Sequence, residues 1–231
     1  MMSVKTQISQ TIASSWLSLV IVSACQLIMI PIALGALSKV DFALFAVISQ
    51  MLMAIMLAEV GVRSACARLL IDALAKDNKT YNKVWMASVC VFAIQALVML
   101  VLIVCFAPFL SVIFNLNKDQ ESLGRSIFVV VGVLNTLNYA MSVFSTALLA
   151  GQRLSRINVI TAIYATVQLA FFSVAIKMGA GLWAYPIALC GAIVSSQVMM
   201  ISMALKYKLV GQFNWRLIKW DEIAVVFSLG F

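Results

Sequence analysis

The sequence predicts an all-α polytopic membrane protein: a six-helix transmembrane bundle, 1–205, followed by a loop and the start of a seventh helix, 206–231. Three observations predict it. First, 64% of the 231 residues are hydrophobic and only 10% are charged. A soluble domain averages about 45–50% apolar and about 25% charged, so this chain cannot cover a water-facing surface. Second, the apolar residues fall into runs of roughly 20, the length needed to cross about 30 Å of hydrocarbon. Third, lysine and arginine alternate between rich and poor connecting segments.

The first run, 11–34, carries Ser15, Ser18 and Gln26, with Pro31 near its far end. "VSAC", Val22 to Cys25, resembles a lipoprotein cleavage box, but the apolar run continues through "QLIMIPIALGAL", which predicts an uncleaved span. The second run, 42–60, closes in "AEVGVRSACAR", Ala58 to Arg68. A polar segment follows and includes the sequon "NKT", Asn78 to Thr80. The third run, 84–107, stops at Pro108, a residue that ends helices. The fourth, 126–150, and the fifth, 157–177, are joined by a short basic turn. The sixth, 182–205, has Pro186 near its start. A seventh opens at Ile223 as "IAVVFSLGF", too short to cross as a helix. The chain is therefore expected to be one part of a larger protein and inactive by itself. Unpaired backbone groups are not tolerated in lipid, and the runs are continuous rather than alternating, so helices are predicted over a strand barrel.

Orientation follows from charge. One side holds Lys5, Arg63, Arg68, Lys76, Lys79, Lys83, Arg153, Arg156, Lys206, Lys208, Arg216 and Lys219. The other holds Lys39, Lys118, Arg125 and Lys177. The positive-inside rule makes the first side, with the N-terminus, cytoplasmic. The net charge of +8 is mostly this bias and requires no nucleic-acid partner. The sequon then lies in the cytoplasm, where it would go unused.

Enzyme chemistry is not expected. There is no histidine for a triad or a metal. Cys25, Cys66, Cys90, Cys105 and Cys190 show no C-x-x-C spacing and read as small buried hydrophobes. No G-x-x-x-x-G-K-[ST] loop is present. No metal and no cofactor are predicted.

Polarity inside the spans is the remaining signal. Asn135, Asn138, Ser142 and Ser145 fall within about 80° on the fourth run at 100° per residue. Asn158, Thr161 and Gln168 make a similar arc on the fifth, and Ser15, Ser18 and Gln26 mark the first. Any one such residue serves as interhelical glue at about 0.6 kcal/mol. Three stripes together predict a shared wet cavity, since amides facing lipid are costly. An uncharged polar lining suits sugar hydroxyls.

Several segments resemble one family. "LGALSKVDFALFAVISQ", Leu34 to Gln50, is similar to the turn between the first two spans of polysaccharide flippases, with Phe42–Ala43 in place of the commoner Tyr–Gly. "AEVGVRSACAR" resembles the Gly- and Arg-containing end of their second span. "LLAGQRLSRINVI", Leu148 to Ile160, resembles their fourth loop, and "MGAGLWAYPIA", Met178 to Ala188, their span 5–6 turn. The family is that of the O-antigen, or lipid-linked oligosaccharide, flippases of the multidrug/oligosaccharidyl-lipid/polysaccharide (MOP) exporter superfamily.

The resemblance implies two six-helix bundles around a V-shaped cavity in a bacterial inner membrane, both termini cytoplasmic. This chain would be the first bundle. The implied activity is translocation of polyprenyl-diphosphate-linked oligosaccharide from the inner to the outer leaflet for surface polysaccharide. Implied partners are that lipid, the surrounding membrane lipids, a polysaccharide polymerase and glycosyltransferases. Arg63 is the side chain expected to meet the diphosphate at the cytoplasmic mouth, because a guanidinium pairs with phosphate oxygens. Glu59, four residues earlier, is expected to hold that arginine on one helix face. Asn135, Asn138, Gln168 and Gln26 are the expected sugar-facing residues. Two other readings stand beside this one: a cation-coupled multidrug exporter of the same superfamily, which would favour acids within the bundle, and a non-transporting assembly subunit.

Overall fold

The computed structural model describes the backbone over 4–57, 61–110 and 118–212, and side chains over 9–57, 61–110 and 121–212. Its helices are α1 (Val4–Ala36), α2 (Lys39–Met56), α3 (Val62–Lys76), α4 (Asn78–Phe106), α5 (Lys118–Ala140), α6 (Ser142–Ala150), α7 (Leu154–Lys177) and α8 (Ala184–Lys206), with a 3-10 turn at Gly181–Trp183. Among the described residues, six stretches are long and apolar enough to cross a membrane: Ser9–Ala36, Lys39–Met56, Asn78–Phe106, Glu121–Ala150, Leu154–Lys177 and Gly181–Lys206. These are the six predicted spans, with ends moved by a few residues. The seventh run lies outside the described residues.

Two differences from the sequence reading matter. The second span ends at Met56, and the expected loop beyond it holds a 15-residue helix, α3. Gly61 precedes α3 at φ 74, in the left-handed region that suits glycine. Charges at Arg63, Arg68, Asp72 and Lys76 lower the mean hydropathy of this stretch. Yet Val62, Cys66, Leu70 and Ala73 recur at helical spacing and are buried as α3 packs on α4 and α6. An amphipathic helix escapes a search for apolar runs. The fourth span is also two helices, α5 and α6, which meet at Met141. There the Phe144 N–H donates to the Met141 carbonyl at 3.2 Å, an i to i+3 bond that tightens the turn. The Ser145 and Thr146 hydroxyls donate to the Ser142 carbonyl, the competition that bends helices.

The main core joins α2 to α6 with α8, around Phe92, Phe128, Met86, Met99 and Ile103. A Cβ on Gly132 would stand 2.6 Å from Ile103, so glycine there sets the α4–α5 approach. A smaller cluster of Ala33, Phe172, Ala175, Ala184 and Ala188 ties α1, α7 and α8. Phe45 of α2 meets Tyr185 edge-on at 4.9 Å and links the two. α1 packs mainly on α7. Only 11% of its best apolar window is buried, against 44% in the fourth and sixth spans. A helix apolar all round needs lipid or another bundle on its open faces.

One end of the bundle is strapped by the segment after α8. The Tyr81 hydroxyl donates to the Leu209 carbonyl at 2.7 Å, and the Gln212 N–H donates to Asn82 Oδ1 at 3.1 Å. The Arg153 guanidinium lies 4.3 Å from the Tyr207 ring centroid. α6 and α8 both finish here with a left-handed residue, Gln152 and Lys208, each at φ 56. The next N–H in each case reaches back to close the helix end, Arg153 to Leu148 and Leu209 to Ala204.

The sequon has a structural use. Asp77 accepts from the Thr80 N–H at 2.7 Å and from its hydroxyl at 2.9 Å, capping α4. These donors hold the exposed Asp77 carboxyl below the usual carboxylate range.

Candidate functional site

Arg63 is the second residue of α3, and its Nη2 donates to Ser142 Oγ at 3.1 Å. Ser142 opens α6, eight residues before Ala150, where the fourth span ends. At 1.5 Å per residue that is about 12 Å inside the span. Arg63 is exposed. It is therefore an exposed cation tied to the fourth span about 12 Å, by helix rise, from the end of that span.

The Glu59 expectation falls outside the described residues. Gly61, at φ 74, is the N-cap of α3, so Arg63 stands in the first turn of that helix. Gly61 also makes no side-chain cap, which leaves the first-turn N–H groups of α3 without a side-chain acceptor from it. Arg68 lies further along α3, where its Nε donates to the Ser64 carbonyl at 3.4 Å.

The predicted polar residues divide between two places. Gln26 and Gln168 come together in a cavity of about 130 Å³ between α1 and α7, with Cys25, Thr161 and Tyr164. One turn along the same seam, Asn158 Nδ2 donates to Ser15 Oγ at 2.8 Å and Ser14 Oγ at 3.1 Å. The stripes of the first and fifth spans thus do meet. A larger hollow of about 290 Å³ between α2 and α4, lined by Met51, Ala54, Ile55, Leu102 and Phe106, offers no polar side chain.

The stripe of the fourth span does not line that cavity. Asn135 Nδ2 donates to its own helix at the Val131 carbonyl, 2.9 Å away. Asn138 Oδ1 accepts from Gln197 Nε2 of α8 at 2.7 Å. Beside it, the buried Tyr139 hydroxyl donates to Gln95 Oε1 of α4 at 2.6 Å. The last two are interhelical ties inside the bundle. Gln95 and Gln197, lone amides in apolar runs, are the residues sequence reasoning passed over. Their signal was available, since an amide within a span needs a partner. Among the described residues no three of His, Cys, Asp and Glu gather as a metal site.

A family model described as polysaccharide biosynthesis protein matches residues 9–230. No curated protein matches the chain. Among solved structures the chain is similar to one titled as the outward-facing conformation of a multidrug resistance MATE family transporter of the MOP superfamily. The TM-score is 0.80 at 12% identity, over 98% of this chain and 51% of that one, so this chain spans about half the length of that transporter. At that identity the likeness shows the fold. With nearly every described residue inside the family match and six candidate spans among the described residues, the chain belongs to the polysaccharide biosynthesis protein family, as a multi-pass membrane protein with the fold of half of that transporter.

Proposed function

We propose that this bundle is one half of a flippase that carries polyprenyl-diphosphate-linked oligosaccharide across a bacterial inner membrane. The observation that carries the proposal is Arg63: an exposed guanidinium about 12 Å inside the bundle by helix rise, in the first turn of α3. A guanidinium forks onto diphosphate oxygens, and the positive end of a helix dipole favours the same anion. The Gln26–Gln168 cavity supports the sugar part of the reading, because amides offer hydroxyls both donors and acceptors. The positive-inside rule supports reading the strapped end, rich in basic residues, as the cytoplasmic one. The oligosaccharide then exits to the face on which a polymerase acts.

The MATE fold favours a second reading, a cation-coupled drug exporter. Purified chain in nanodiscs, titrated with polyprenyl diphosphate oligosaccharide and with a lipophilic cationic drug, separates the two. The flippase reading predicts saturable binding of the diphosphate lipid, weakened at least tenfold in Arg63→Ala and only partly in Arg63→Lys. Drug binding indifferent to Arg63, with no diphosphate binding, would contradict it.

A further inference from the structure

We infer that Arg63 is a ligand-operated latch, held on Ser142 when the site is empty and drawn off it by diphosphate. The inference rests on the phosphate reading of Arg63 and adds a mechanism to it. Its ground is a coincidence of two helix discontinuities. α2 ends at Met56 and α3 begins at Val62, while α5 ends at Ala140 and α6 begins at Ser142. The 3.1 Å bond joins the second residue of α3 to the first residue of α6. It therefore ties the start of α3, beyond the end of the second span, to the inner half of the interrupted fourth span. α3 and α6 also pack together, so they form one inner unit. Interrupted helices are where many transporters build their binding sites.

The chemistry sets the direction of the switch. Ser142 Oγ is a neutral acceptor and also donates to the Asn138 carbonyl at 3.3 Å. A diphosphate oxygen carries full charge, and a guanidinium bonds it about twice as strongly as a neutral acceptor. Diphosphate thus outcompetes serine for Nη2. The Ser142 hydroxyl remains satisfied by Asn138, so release leaves no orphaned polar group. With the latch open, α6 loses its polar tie to α3 while their apolar packing remains, and the bend at Met141 gains play. Binding energy for the headgroup is thereby coupled to loosening of the inner half of the bundle.

Inorganic pyrophosphate is the probe, titrated into the purified full chain in nanodiscs, with hydrogen exchange followed over 142–150. The latch predicts that pyrophosphate speeds exchange there in the wild type. Ser142→Ala, which removes the competing acceptor, should bind pyrophosphate about three- to tenfold more tightly and exchange fast without it. Ser142→Thr keeps the hydroxyl and should match the wild type, which separates loss of the acceptor from damage to the fold. If Ser142→Ala binds as the wild type does while Arg63→Ala does not bind, the latch is wrong and the phosphate reading stands. If Ser142→Ala binds more weakly, the serine is a phosphate contact and the latch is likewise wrong. Binding that ignores Arg63 overturns the phosphate reading and the latch with it.

Discussion

Asn138 and Ser142 stand four residues apart on the fourth span, on one polar stripe, and they serve different ends. Asn138 turns to α8 and takes a hydrogen bond from Gln197, 9% exposed, in the packed interior. Ser142 receives a bond from the exposed Arg63. The first pair holds helices together. The second sets an exposed charge at the start of α6. A stripe of polar residues is thus not one site, because the meaning of each residue depends on the helix it meets.

The sharpest way to break this comparison is at the interior pair. Asn138→Leu leaves Gln197 Nε2 with only a 3.4 Å approach to the Asn138 carbonyl, and Gln197 Oε1 already lacks a partner. The cost should be about 1–3 kcal/mol in thermal unfolding, with pyrophosphate affinity unchanged. Adding Gln197→Leu should recover most of it, since an apolar pair replaces a half-satisfied one. Tyr139→Phe removes the donor to Gln95 and should cost about 1 kcal/mol by the same assay.

The accessible side should behave in the opposite way. Gln26→Leu and Gln168→Leu should change stability by less than about 0.5 kcal/mol, yet weaken the oligosaccharide lipid several-fold. Bare polyprenyl diphosphate, which has no sugar for this cavity, should bind both variants as it binds the wild type. Equal weakening of both lipids would place these glutamines outside the sugar path.

The smallest effects lie at the helix ends. Gln152→Gly relieves a left-handed residue at φ 56 and should stabilise by up to about 1 kcal/mol. Asp77 gives a pH signature. Its folded carboxyl sits below the usual range, first because the Thr80 N–H bonds it. The stability it adds is therefore complete above the ordinary carboxyl pKa and is lost as pH falls through the lowered one. Asp77→Asn should flatten that acid limb slightly, as followed by unfolding between neutral and acid pH.

The spans were legible because twenty apolar residues in a row have few alternatives. α3 was not, because its charges hide an apolar face that shows only at helical spacing. The meeting of the first and fifth spans was foreseeable in kind, since Gln26 and Gln168 both needed company. Their meeting with each other, away from Asn135 and Asn138, is set by which helices pack, and α1 lies on α7. Arg63 stood out in the sequence, but its depth did not. Placing it required knowing that the chain forms a new helix after Gly61 and runs back along α4.

The central claim is that the interior tie and the accessible arginine are separable functions. One paired measurement tests it: thermal stability and pyrophosphate affinity for Arg63→Ala and Asn138→Leu at equal purity in nanodiscs. The account predicts crossed results. Arg63→Ala should lose at least tenfold in affinity while its unfolding midpoint stays near that of the wild type, and Asn138→Leu should lose stability while its affinity holds. Parallel losses in both quantities for both variants would contradict it.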